Sequence, residues 1–198
     1  MGALVNAVAK AATPVTLLAL GDSLTAGYGV ATKDSFPSQL EKALQAKGRA
    51  VRVVNAGVSG DTSAGGLARL DWALADKPQA AIVALGANDG LRGLDPAKME
   101  ANLDAIVSKL QAEGVKVLLA GMEAPPNLGP DYAQAFRGAY ARIAERRKVA
   151  LYPFFLDGVA ANPSLNQKDG MHPTAQGVAI IVGRMMGAVE KLLDQVRP

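Results

Sequence analysis

Five short apolar runs, separated by longer amphipathic stretches, set the strongest limit on how this chain can fold. The runs are Val15 to Leu20, Val51 to Ala56, Ala80 to Leu85, Val115 to Ala120 and Val149 to Tyr152. They are nearly continuously apolar, as expected for strands covered on both faces. Between them the period changes. Tyr132, Phe136, Tyr140 and Ile143 recur at spacings of three and four, and so do Leu67, Leu70 and Leu74. Val178, Ile181, Val182, Met185, Val189 and Leu192 share one face of a last helix, whose two methionines, Met185 and Met186, read as core filler. Alternation of this kind predicts an α/β fold, a parallel sheet with helices on both sides.

A chain of 198 residues holds one domain with a full core and is too short for two ordinary ones. Residues 1–13 read as an N-terminal extension or a signal-peptide remnant, and residues 14–198 as the single domain. Apolar residues make up 49% and charged ones 20%, the balance of a soluble globular protein. The net charge of +3 is small, and the densest basic run, Arg146-Arg147-Lys148, reads as a solvated helix end rather than a nucleic-acid site. No apolar run approaches a membrane span, so no stable membrane anchor is expected. The absence of cysteine excludes disulfides, thiolate nucleophiles and Cys-based metal sites, without fixing the compartment.

Ala9-Lys10-Ala11 has the small-x-small form of a signal-peptidase site, although no basic region precedes it and the apolar stretch is short. Read as the stub of a trimmed export signal, it places the protein in the periplasm or outside the cell. Read as a disordered extension, it leaves the protein in the cytoplasm. Met1-Gly2 is not a myristoylation signal, because Asn6 stands where Ser or Thr is wanted.

In parallel sheets of this kind ligands bind beyond the carboxyl ends of the strands. The polar and glycine-rich segments fall there. Gly21-Asp22-Ser23 follows the first run, Gly57-Val58-Ser59-Gly60-Asp61 the second, and Gly86-Ala87-Asn88-Asp89-Gly90 the third. Asp169-Gly170-Met171-His172-Pro173 precedes the last helix. Four loops distant in sequence therefore converge on one rim.

His172 is the chain's one histidine. A hydroxyl is a poor nucleophile until an adjacent base takes its proton, and that base needs a third group to orient it. Any Ser/His/Asp chemistry here must therefore use His172, with Ser23 exposed on a strand-to-helix turn and Asp169 holding the imidazole. The amides of Ser23 and Gly60 and the side-chain amide of Asn88 are candidate donors to a developing oxyanion. Taken singly, each feature has an ordinary reading. Gly-Asp-Ser is a weak motif, Asp89-Gly90 and Asp169-Gly170 are common turn pairs, and Asp61 or Thr62 can cap the next helix. Taken together, in this order and on one rim, they are hard to ascribe to chance.

Four blocks carry a resemblance to the SGNH (GDSL) hydrolases, in particular their bacterial arylesterase and thioesterase I/lysophospholipase L1 branch. The blocks run from Gly21 to Gly29, from Asn55 to Ser63 and on to Leu70, from Leu85 to Gly93, and from Asp169 to Pro173. The resemblance implies a flavodoxin-like three-layer α/β/α sandwich with five parallel strands. It also implies a Ser23, Asp169, His172 triad, an oxyanion hole from Ser23, Gly60 and Asn88, and a supporting role for Asp22 in the nucleophile turn. Glu123 to Asp131, with Pro125 and Pro126, is similar in position to the family's variable acyl-pocket loop but differs in its residues, which leaves the acyl group open.

The expected activity is hydrolysis of carboxylic esters, aryl or with short to medium acyl groups, and of thioesters, with no metal or cofactor. Lysophospholipase, carbohydrate deacetylase and acyltransferase share the machinery. A non-catalytic flavin- or phosphate-binding module on the same sheet is the rival from another class, although no G-x-x-x-x-G-K-[ST] or G-x-G-x-x-G is present. The expected partner is a small-molecule ester, with no nucleic acid. Monomer and homo-oligomer both remain open.

Overall fold

A computed structural model describes residues 13–196. The small-x-small triplet and the proposed extension up to residue 12 lie outside the described residues. The five apolar runs form β1 (Val15–Gly21), β2 (Val51–Gly57), β3 (Ala80–Ala84), β4 (Lys116–Ala120) and β5 (Ala150–Tyr152). They make one parallel sheet in the order β2-β1-β3-β4-β5. Val15 lies opposite Val51, Leu17 opposite Ala80, Ala80 opposite Lys116, and Leu118 opposite Ala150. The chain leaves β1 for one side of the sheet and then returns to build the other. That reversal opens a crevice beyond the carboxyl ends of β1 and β3.

Every residue of β3 is buried, which requires cover on both faces. On one side α2 (Phe36–Ala46) packs against α8 (Ala175–Leu193). On the other, α6 (Pro96–Ala112) packs against α3 (Ser63–Ala68) and α7 (Pro130–Arg147). The sequence pattern holds closely in α8, where all six periodic residues are buried. Of its two methionines Met185 fills the core, whereas Met186 is only half covered.

Three expectations change. Continuous burial fits the inner strands but not the edges, since β2 exposes Arg52 and Asn55 and β5 exposes Ala150. Leu67, Leu70 and Leu74 do not share one helix, because the stretch breaks at Arg69 into α3 and α4 (Leu70–Leu74). The Arg69 side chain is drawn instead to Asp61 and to the Gly21 carbonyl. The basic run ends α7 with Arg146 and Lys148 exposed, as a solvated helix end should be, but its two arginines are also a staple. Arg147 binds Asp104 and Ser108, and Arg146 binds Glu100 and Asp104, joining α7 to α6. Among the described residues no helix is long and apolar enough to cross a membrane.

Candidate active site

β1 runs directly into a tight turn. Gly21 packs so closely on the next turn of chain that a Cβ there would lie 2.0 Å from Thr25 Oγ1. Asp22 follows and caps the one-turn helix α1 (Ser23–Ala26), its Oδ1 accepting from Leu24 N at 3.0 Å. Ser23 therefore opens α1 at the rim, its place in the backbone set by the Gly21-Asp22 turn.

The base arrives from the far end of the chain, on the irregular segment between β5 and α8. Gln167 braces that segment, with Nε2 donating to Tyr28 O at 2.8 Å and Pro173 O at 3.0 Å, and its amide donating to His172 O at 2.7 Å. Thr174 then caps α8. The Tyr28 ring lies 4.6 Å from the His172 ring, centre to centre. Asp169 Oδ1 accepts from the amides of Met171 (2.9 Å) and His172 (3.0 Å), and Oδ2 lies 2.7 Å from His172 Nδ1. The backbone donation from His172, then that from Met171, then the imidazole contact hold the Asp169 carboxyl down to about 2. An ionised carboxylate only accepts, so Nδ1 carries the proton and Nε2 presents a lone pair. That lone pair faces Ser23 Oγ at 3.0 Å.

On the other side of Ser23 lies the loop from β2 to α3. Asp61 N donates to Val58 O at 3.1 Å, and Gly60 has a φ of +83°, a backbone conformation that favours glycine. Asn88, in α5 (Ala87–Leu91), donates from Nδ2 to Asp61 O at 2.8 Å. Among the described residues its other acceptor is Asp22 Oδ2, at 3.4 Å, so its second hydrogen is weakly held. Neither the Ser23 nor the Gly60 amide has an acceptor among the described residues. Burial pushes the Asp22 carboxyl up to about 6, against the opposing effect of the Leu24 amide.

All five candidate residues occur within this neighbourhood, and four of them, Ser23, Gly60, Asn88 and His172, line one cavity of about 530 Å³. Asp169 stands behind the imidazole. Apolar side chains form much of the remaining wall, including Leu91, Met122, Phe154 and Leu156. Glu123, Ala124 and Pro125 border it, where the variable loop was expected. Among the described residues no group of three His, Cys, Asp or Glu is placed to hold a metal ion.

Sequence reasoning missed the bracing. Asp89 is not a turn residue but a buried member of α5, accepting from Ser63 N at 2.7 Å and Ser63 Oγ at 2.6 Å. Thr62 rather than Asp61 caps α3, leaving Asp61 to pair with Arg69 Nε at 2.5 Å. Arg92 donates to Gly60 O at 2.7 Å. Arg69 and Arg92 lie within the quoted blocks, but nothing local signals either partner.

The sequence model of the GDSL-like lipase/acylhydrolase family matches residues 19–180. The chain is similar to esterase TesA of Pseudomonas aeruginosa, with 46% identity over 92% of this chain and 86% of that protein. It is also similar to an arylesterase of Vibrio mimicus, with 42% identity over 79% of each. A solved structure of the psychrotrophic esterase EstA from Pseudoalteromonas sp., inhibited by monoethylphosphonate, matches with a TM-score of 0.86. It is 36% identical and covers 91% of this chain and 99% of its own.

Proposed function

The chain belongs to the GDSL-like lipase/acylhydrolase family and is a serine ester hydrolase, and from that premise we propose the path of its reaction. Ser23 Oγ attacks the ester carbonyl while His172 Nε2 takes its proton. The imidazolium is stabilised by ionised Asp169 and gives the proton to the departing alcohol oxygen. Water, deprotonated by the same nitrogen, attacks the acyl-Ser23; the Oγ–acyl bond breaks, the imidazolium returns the proton to Ser23 Oγ, and the acid is released. The oxyanion of both tetrahedral intermediates is received by the Ser23 and Gly60 amides and the Asn88 side chain. One observation carries this reading, the 3.0 Å approach of His172 Nε2 to Ser23 Oγ across 149 residues of sequence. Short or medium acyl groups on aryl or alkyl alcohols suit the apolar cavity.

Ser23→Ala tests the reading. Turnover of an aryl acetate should vanish in the variant, and a phosphonylating reagent should label the wild type at Ser23 alone. Retained turnover ends it. The triplet Ala9-Lys10-Ala11 supports an exported protein, periplasmic or secreted. Cell fractionation of the host carrying the full gene checks this, and material confined to the cytoplasm refutes it.

A further inference from the structure

The turn that carries Gly60 sets where its amide points. Its closing bond, Asp61 N to Val58 O at 3.1 Å, makes Val58 to Asp61 a β-turn with Gly60 at the third position. Gly60 has φ +83°, and Ser59 is not among the residues with positive φ, as in a type II turn. The amide and the carbonyl of Gly60 flank one Cα, so a group that anchors the carbonyl also fixes where the amide stands.

Two side chains four residues apart hold the loop from α5. Asn88 Nδ2 donates to Asp61 O at 2.8 Å, and Arg92 Nη2 donates to Gly60 O at 2.7 Å. Residues at this spacing share one helix face. Asn88 lines the cavity, but Arg92 is not among its lining residues and is exposed. The Arg92 guanidinium thus grips the loop from outside, without reaching the reacting atoms.

We propose that Arg92 is a positioning residue which, by holding the Gly60 carbonyl, anchors Gly60 in the Val58 to Asp61 turn and so places the Gly60 amide at the oxyanion. This rests on the acyl-enzyme reading above.

The test compares Arg92→Met, Arg92→Lys and Asn88→Ala by steady-state kinetics on an aryl ester and by inhibition with an aryl boronate. The boronate forms a tetrahedral adduct on the serine and so reports on oxyanion donors. Arg92→Met lowers kcat about five- to tenfold, the size of one ordinary hydrogen bond to a solvent-exposed side chain, with KM nearly unchanged. The boronate inhibition constant rises by the same factor, and Arg92→Lys recovers most of both. Asn88→Ala, which removes a donor outright, loses on the order of 10²–10³ in kcat. An unchanged kcat in Arg92→Met, or a loss confined to KM with boronate binding intact, overturns the proposal while leaving the acyl-enzyme reading in place. A wild type that the boronate does not inhibit overturns both.

Discussion

The two aspartates that flank Ser23 belong to different kinds of structure, and their carboxyls move in opposite directions. Asp22 sits in the tight turn after β1, buried, with one good donor in the Leu24 amide and a long contact to Asn88. Burial outweighs those contacts, and its carboxyl rises to about 6. Asp169 sits on the irregular segment before α8 and receives three donors, two backbone amides and the imidazole. Those donors bring its carboxyl down to about 2. The residue type is the same; what differs is how many donors converge and how much water is excluded. The well-solvated, fully donated carboxylate stays charged well below neutral pH, and it is the one that touches the imidazole.

The largest effect that breaks or sharpens this contrast is at Asp169. Asp169→Asn keeps the size of the side chain but removes the charge, and its amide favours the imidazole tautomer with the proton on Nε2. That nitrogen then cannot accept from Ser23. Loss of kcat should be about 10⁴-fold, as for other triads that lose the carboxylate, measured on an aryl ester with the melting temperature as a control for folding. A fall of less than tenfold would assign the electrostatic role to Asp22 and erase the distinction.

The same contrast governs what could be read in one dimension. The inner strands announce themselves because the stretches buried on both faces, Leu17 to Leu20, Ala80 to Ala84 and Val117 to Ala120, have no room for polar residues, so the signal lies within each run. The edge strand β2, bearing Arg52 and Asn55, departs from that pattern because one side of it reaches solvent. The reactive groups were legible for a related reason, since His172 is the chain's one imidazole and Ser23 and Asp169 stand in turn contexts that one chemistry unites with it. The bracing was not. Arg147 finds Asp104 43 residues away, Ser63 finds Asp89 at 26, and Arg92 finds Gly60 at 32. Arginine at a helix end and aspartate before glycine have ordinary local meanings, and only the packing of one element on another replaces them. The break at Arg69 is the clearest case, because three leucines at helical spacing outvoted a side chain drawn elsewhere by Asp61 and the Gly21 carbonyl.

The smallest effect is on stability, and it follows from the sign of each displacement. For Asp22 the folded carboxyl titrates at about 6, against an ordinary 3.8. Its protonated form favours the fold, a contribution fully present below 3.8 and lost as pH rises through about 6. For Asp169 the contribution is reversed, present above 3.8 and lost as pH falls towards about 2. The two windows barely overlap, so Asp22 can be isolated by working between pH 4 and 7. Asp22→Asn preserves an acceptor for the Leu24 amide but does not titrate. The stability of the wild type relative to Asp22→Asn, from urea unfolding, should therefore decline by ~2 kcal/mol across that range. A difference that stays flat would mean that Asp22 is charged in the fold at every pH tested, and the contrast between a withheld and an exposed carboxylate would then rest on position alone.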